Sequence, residues 1–70
     1  MIAYPGMKLH ATSFASALRP DDEVVLPDGR WRIVAVEPRR SPTGRHGVAV
    51  TFEGGARQWW PSDGFVEMVR

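Results

Sequence analysis

The residues best suited to hold a charged ligand lie in one short segment, residues 38–47 (PRRSPTGRHG). It carries Arg39, Arg40, Arg45 and His46 among prolines and glycines and has no large apolar residue. Guanidinium groups bind phosphates and carboxylates through paired hydrogen bonds. Loops on a rigid scaffold are also frequent binding sites. The segment therefore predicts a mobile loop that holds anions.

Three more arginines, Arg30, Arg32 and Arg57, extend this basic group if their strands lie beside the loop. Glu37 and Glu53 would then neutralise part of its charge. The alternative interpretation is a loop that keeps the chain soluble and has no ligand. Both interpretations are open at the level of the sequence.

The tryptophans are the second notable feature. In a strand, neighbouring side chains point to opposite faces, so Trp59 and Trp60 cannot both enter one core. Trp31 begins a second alternating run. Trp31 and Trp60 either pack beneath the N-terminal segment with Phe14 and Leu18, the interpretation we favour, or supply an exposed aromatic binding surface.

Residues with catalytic chemistry are almost absent. The chain has no cysteine, and its two histidines, His10 and His46, are far apart without metal-ligand spacing. No nucleophile, phosphate-loop or dinucleotide motif is present. The sequence predicts a protein that is not an enzyme and has neither metal nor cofactor.

Short strands are predicted to position these residues. The β-rich runs are separated by turn residues and cover residues 23–26, 31–36, 48–53, 56–60 and 65–69. Residues 27–29 (PDG) predict a hairpin between the first two runs. In the third run, Val48, Val50 and Phe52 should point inward.

The N-terminal residues allow two interpretations. Ser13 can cap a short helix that ends at Leu18, or residues 8–12 can form an edge strand. Seventy residues make a single domain, which we divide into an arm, residues 1–17, and a barrel, residues 18–70. Met7 is a second possible start, and residues 1–6 are expected to be dispensable.

Two segments resemble known patterns. Residues 18–36 (LRPDDEVVLPDGRWRIVAV) resemble the opening of SH3-like and KOW/Tudor-like small barrels: a leucine, an acidic turn, a valine-rich strand, a turn and an alternating strand. Residues 60–69 (WPSDGFVEMV) are similar to the closing segment of SH3 domains. The resemblance implies an all-β, five-stranded SH3-like barrel, and it implies no ligand or binding residue.

The ratio of arginine to lysine bears on the kind of organism from which the chain comes. Eight arginines accompany one lysine, and asparagine is absent. This composition is similar to that of small proteins from high-G+C actinobacteria and their phages.

The net charge and the hydropathy of the chain bear on which classes of partner it can bind. The net charge is only +1, which gives little support to nucleic-acid binding. No run approaches the ~20 apolar residues of a membrane span, and no signal peptide is apparent, so we expect a cytoplasmic protein without a membrane partner. The sequence favours a non-catalytic module that binds a protein or its own copy; the alternative is a nucleic-acid module that uses the arginine loop and an exposed tryptophan.

Overall fold

The chain folds into one antiparallel sheet of six strands. The computed structural model describes residues 10–69, so the prediction about residues 1–6 lies outside the described residues. The strands are β1 (His10–Phe14), β2 (Glu23–Leu26), β3 (Gly29–Pro38), β4 (Gly47–Phe52), β5 (Arg57–Pro61) and β6 (Phe65–Val69). Their order in the sheet is β1-β6-β2-β3-β4-β5.

The all-β class is confirmed, while two details of the expected barrel are wrong. The sheet has six strands where five were expected, and it is open, since β1 and β5 lie at its two edges. The sixth strand is β1, an edge strand that pairs with β6 along its whole length and overlaps the edge strand predicted as one alternative for residues 8–12. A three-residue 3-10 turn, Ala15–Ala17, follows β1 where the sequence allowed a short helix.

The sheet must bend strongly because of how its last two strands are joined. Three residues link β5 at one edge to β6, four places away in the sheet. The bend is accompanied by an irregularity in the pairing of β3 with β4. Ile33 pairs with Phe52 and Ala35 pairs with Thr51, so Val34 is an extra residue on β3. An extra residue of this kind increases the local twist of a strand.

The core lies on the concave side of the bent sheet. Inward residues alternate along β4 as predicted, with Val48, Val50 and Phe52 buried. Their partners from the other elements are Ala15, Leu18, Val24, Ile33, Val66 and Met68. The 3-10 turn therefore contributes to the same core as the strands.

The turn before β2 is tightly built. Asp21 adopts φ = 76°, a left-handed conformation that glycine adopts most easily. Its N–H donates to the Ile33 carbonyl at 2.9 Å, and the Ile33 N–H returns a bond to the Asp22 carbonyl at 2.8 Å. Asp22 is buried, and its carboxylate accepts the Arg19 N–H at 3.1 Å. These bonds anchor the turn to the middle of β3.

Helical structure contributes little to the described residues. None of the helical segments among residues 10–69 has the length and apolar character needed to cross a bilayer.

Candidate binding site

The basic loop between β3 and β4, residues 39–46, is ordered by its own hydrogen bonds. The Ser41 N–H donates to the Arg45 carbonyl at 2.9 Å, and the Arg45 N–H donates to Ser41 Oγ at 3.1 Å. Gly44 closes the turn with an N–H bond to the Ser41 carbonyl and φ = 86°. These bonds close the loop into a turn.

A groove of about 480 Å³ opens at the base of this loop. Three of the predicted site residues line it: Arg39, Arg40 and His46. Ser16 of the 3-10 turn and Ser62 of the β5–β6 link line it as well. Among the described residues, no acidic side chain contributes to its lining. The groove thus gathers cationic and hydroxyl donors from three distant parts of the chain.

Backbone hydrogen bonds hold these three parts together. The Ser16 N–H donates to the Ser62 carbonyl at 3.2 Å, and the Ser62 N–H donates to the His46 carbonyl at 3.0 Å. Next to them, the Ala15 N–H donates to the Gly64 carbonyl at 2.8 Å. The two serines were missed at the sequence level because neither carries a local signal for this placement.

The charges of the loop differ in how far they are neutralised. Arg45 pairs with Asp63 at 3.3 Å, and Arg39 approaches Glu37 at 3.9 Å. Within residues 10–69, Arg40 forms no ion pair. Arg40 is therefore the cation of the groove that is most available to a ligand.

Two predicted residues lie outside this group. Arg32 binds the Asp21 carboxylate at 2.6 Å, and this hydrogen bond raises the pKa of the Arg32 guanidinium. It lies near the start of β3, and at ~3.3 Å per residue it is roughly 20 Å from the loop. Arg57 lies on β5 opposite Thr51 of β4, and it lines a separate shallow depression. Neither arginine extends the groove.

The structure separates the roles of the paired tryptophans. Trp60 packs edge-on against Phe52 with ring centroids 6.2 Å apart, and Trp31 approaches the same ring at 6.1 Å. Both are half-buried beside the core, and Trp31 also donates Nε1–H to Asp28 at 3.0 Å. Of the two interpretations of Trp31 and Trp60, the packed one therefore fits better, although the ring they pack against is Phe52 and not Phe14.

Trp59 takes the other face of β5. Its Nε1–H donates to the Arg39 carbonyl at 2.9 Å. Its ring lies so close to Gly47 that a Cβ there would overlap Cζ2 and Cε2 of the indole. Trp59 is therefore a support for the base of the loop.

The exposed aromatic surface is formed by two phenylalanines. Phe14 and Phe65 are direct partners across β1 and β6, and their rings stack with centroids 4.8 Å apart at an interplanar angle of 27°. They are 49% and 69% exposed. Leu18 enters the core as a covering residue, but Phe14 does not.

The Phe14–Phe65 pair is close in sequence to two residues that line the groove. Phe14 is two residues from Ser16, and Phe65 is three residues from Ser62. An extended chain spans at most ~3.6 Å per residue, so these backbone positions lie within ~7 and ~11 Å of each other. The aromatic pair and the groove are therefore close to each other along the chain.

A metal site is not evident in the part of the chain that the structure describes, where no three histidine or acidic side chains gather. The chain matches no protein-family model, no curated protein and no solved structure.

Proposed function

We propose that this chain is a small, non-catalytic, cytoplasmic module that binds another protein. The observation that carries the proposal is the exposed Phe14–Phe65 stack beside the groove. Exposed apolar surface bordered by polar groups is typical of protein interaction sites. Aromatic residues and arginine are also enriched at protein interfaces.

The aromatic pair can supply much of the binding energy. Covering a phenylalanine side chain fully stabilises a complex by about 1.5–3 kcal/mol. The two rings already hold each other in a stacked arrangement, so little side-chain freedom is lost when a partner covers them. A partner that offers one aliphatic or aromatic side chain would bury both rings at once.

Nucleic acid is the second candidate, favoured by the shared groove of Arg39, Arg40 and His46. A single strand would place phosphates in the groove and stack a base on the exposed rings. The neighbouring carboxylates Glu37 and Asp63 oppose a polyanion. The net charge of +1 gives little long-range attraction. A protein partner therefore fits these charges better.

The first prediction concerns the aromatic pair. Random dodecapeptides displayed on phage are selected against the immobilised protein, and enriched sequences are synthesised and titrated by NMR. We expect Phe14→Ser combined with Phe65→Ser to weaken binding by at least about tenfold, or about 1.4 kcal/mol. The control is Val34→Ser, which removes an apolar side chain as exposed as Phe14 elsewhere on the sheet and should leave affinity unchanged.

Three results would contradict the proposal: no enriched peptide, equal losses in both variants, or tighter binding of a ten-nucleotide DNA strand than of any peptide. In the last case, joint removal of Arg39, Arg40 and Arg45 should flatten the dependence of affinity on salt. Sedimentation at several protein concentrations tests whether the partner is a second copy, because a self-associating chain grows in size with concentration.

A further inference from the structure

We infer that the groove lined by Arg40, His46, Ser16 and Ser62 is a carboxylate-binding site for an acidic residue of the protein partner. The inference rests on the proposed function and specifies the chemistry of that partner. The bound group is an Asp or Glu side chain that lies next to the apolar residue covering Phe14 and Phe65.

The donors of the groove are available. Within residues 10–69, the Arg40 guanidinium has no ion-pair partner, and the His46 ring has no hydrogen-bond partner. The hydroxyls of Ser16 and Ser62 are likewise without a hydrogen-bond partner among the described residues. An ionised carboxylate only accepts hydrogen bonds, through two oxygens. It therefore complements a groove whose described lining contains donors and no acidic side chain.

The flanking charges select a single anion and oppose a chain of anions. Asp63 holds Arg45, and Glu37 lies 3.9 Å from Arg39, so a carboxylate borders the loop on each side. Glu67 is exposed two residues beyond Phe65. A nucleic-acid strand carries regularly spaced phosphates and would meet these acids. One acidic side chain can enter between them.

The groove is built in advance of binding. Its lining residues are joined by the bonds from Ser16 to Ser62 and from Ser62 to His46. Trp59 supports the loop from the other face through the Arg39 carbonyl. Its volume, about 480 Å³, is ample for one side chain. Backbone segments that are already joined need less reordering when a ligand binds.

The test uses hexaglutamate as the probe and amide shifts of the folded protein as the readout. The titration is run at about 0.15 M salt, where charges more than about 8 Å apart are largely screened. Arg40→Gln is compared with Arg57→Gln. Both remove one exposed guanidinium without an ion-pair partner among residues 10–69, so the net charge changes equally.

We expect hexaglutamate to shift the amides of Ser16, Arg40, His46 and Ser62. Arg40→Gln should weaken binding by about tenfold, because it removes hydrogen bonds between two charged groups. Arg57→Gln should change affinity by less than about twofold, as is usual for an exposed charge away from the site. Hexaglutamine should leave the same amides unshifted.

Equal losses in the two arginine variants would overturn the inference, because they would show attraction to overall charge alone. Amide shifts confined to other surfaces would also overturn the inference. So would a ten-nucleotide DNA strand that displaces hexaglutamate from the wild type but not from Arg40→Gln. Peptides that bind through Phe14 and Phe65 without any preference for acidic residues would overturn the carboxylate site and leave the proposed function intact. If no peptide is enriched but hexaglutamate binding still depends on Arg40, the proposed function is wrong and the carboxylate site stands.

Discussion

At the scale of single residues, the base of the loop depends on one close approach. Gly47 lies beneath the indole of Trp59, where any β-carbon would overlap the ring. The same indole donates its Nε1–H to the Arg39 carbonyl. One glycine and one tryptophan therefore position the first residue of the loop, and through it one wall of the groove.

We predict that Gly47→Ala destabilises the protein by about 1–3 kcal/mol, because the added methyl forces the ring to move. The variant is compared with Trp59→Ala and with the double variant by urea denaturation followed by circular dichroism. In the Trp59→Ala background the same change should cost less than about 0.5 kcal/mol, since sites coupled by contact are not additive. An equal cost in both backgrounds would show that the ring is not the obstacle.

At the scale of elements, the turn into β2 depends on backbone conformation. Asp21 has φ = 76°, and its carboxylate binds Arg32 on β3. The backbone of the turn is bonded to Ile33 in both directions. The turn therefore couples the end of the 3-10 region to the sheet, although in sequence it is only a run of acidic residues.

We predict that Asp21→Val destabilises the protein by about 1–3 kcal/mol, because a β-branched residue is strained in the left-handed region. Asp21→Gly is the matched control. Both variants lose the ion pair with Arg32, but glycine accepts the backbone conformation and should stay within about 1 kcal/mol of the wild type. Thermal unfolding of the two variants measures the difference. Equal destabilisation would assign the effect to the ion pair instead of the backbone.

At the scale of the whole molecule, the two ends of the described chain meet. β6 lies between β1 and β2, and Met68 is paired with both Ala11 and Val24. Met68 is fully buried. A domain of this size has a core that supplies only about 3–5 kcal/mol. The two halves of the sheet should therefore unfold together.

We predict that Met68→Ala costs about 2–5 kcal/mol, the range measured for truncation of a buried methionine or leucine to alanine. This loss is comparable with the free energy of unfolding of the whole domain. As the variant is warmed, the NMR signals of β1 and β5, at opposite edges of the sheet, should therefore disappear together. Val34→Ala, at an exposed apolar position, is the control and should leave the transition nearly unchanged. Selective melting of β1 and β6 with β4 and β5 intact would contradict a single cooperative unit.

Local features of the chain could be predicted because they depend on neighbouring residues. Alternation with a period of two identifies the inward side chains of β4, Val48, Val50 and Phe52. Turn residues likewise predict the two-residue link between β2 and β3. The composition of residues 38–47 points to the basic loop, and three of its four basic side chains do line the groove.

Features that join distant segments were decided only by the tertiary structure. The groove needs residues 16, 46 and 62, and the aromatic pair needs Phe14 and Phe65. Which member of the tryptophan pair faces the core depends on the register of β4 with β5, where Val48 opposes Trp60 and Ala49 opposes Trp59. Side-chain periodicity describes one strand at a time and carries no information about its neighbour. The sequence allowed an N-terminal edge strand, but its pairing with β6, and with it the exposed aromatic surface, emerges only when the whole sheet forms.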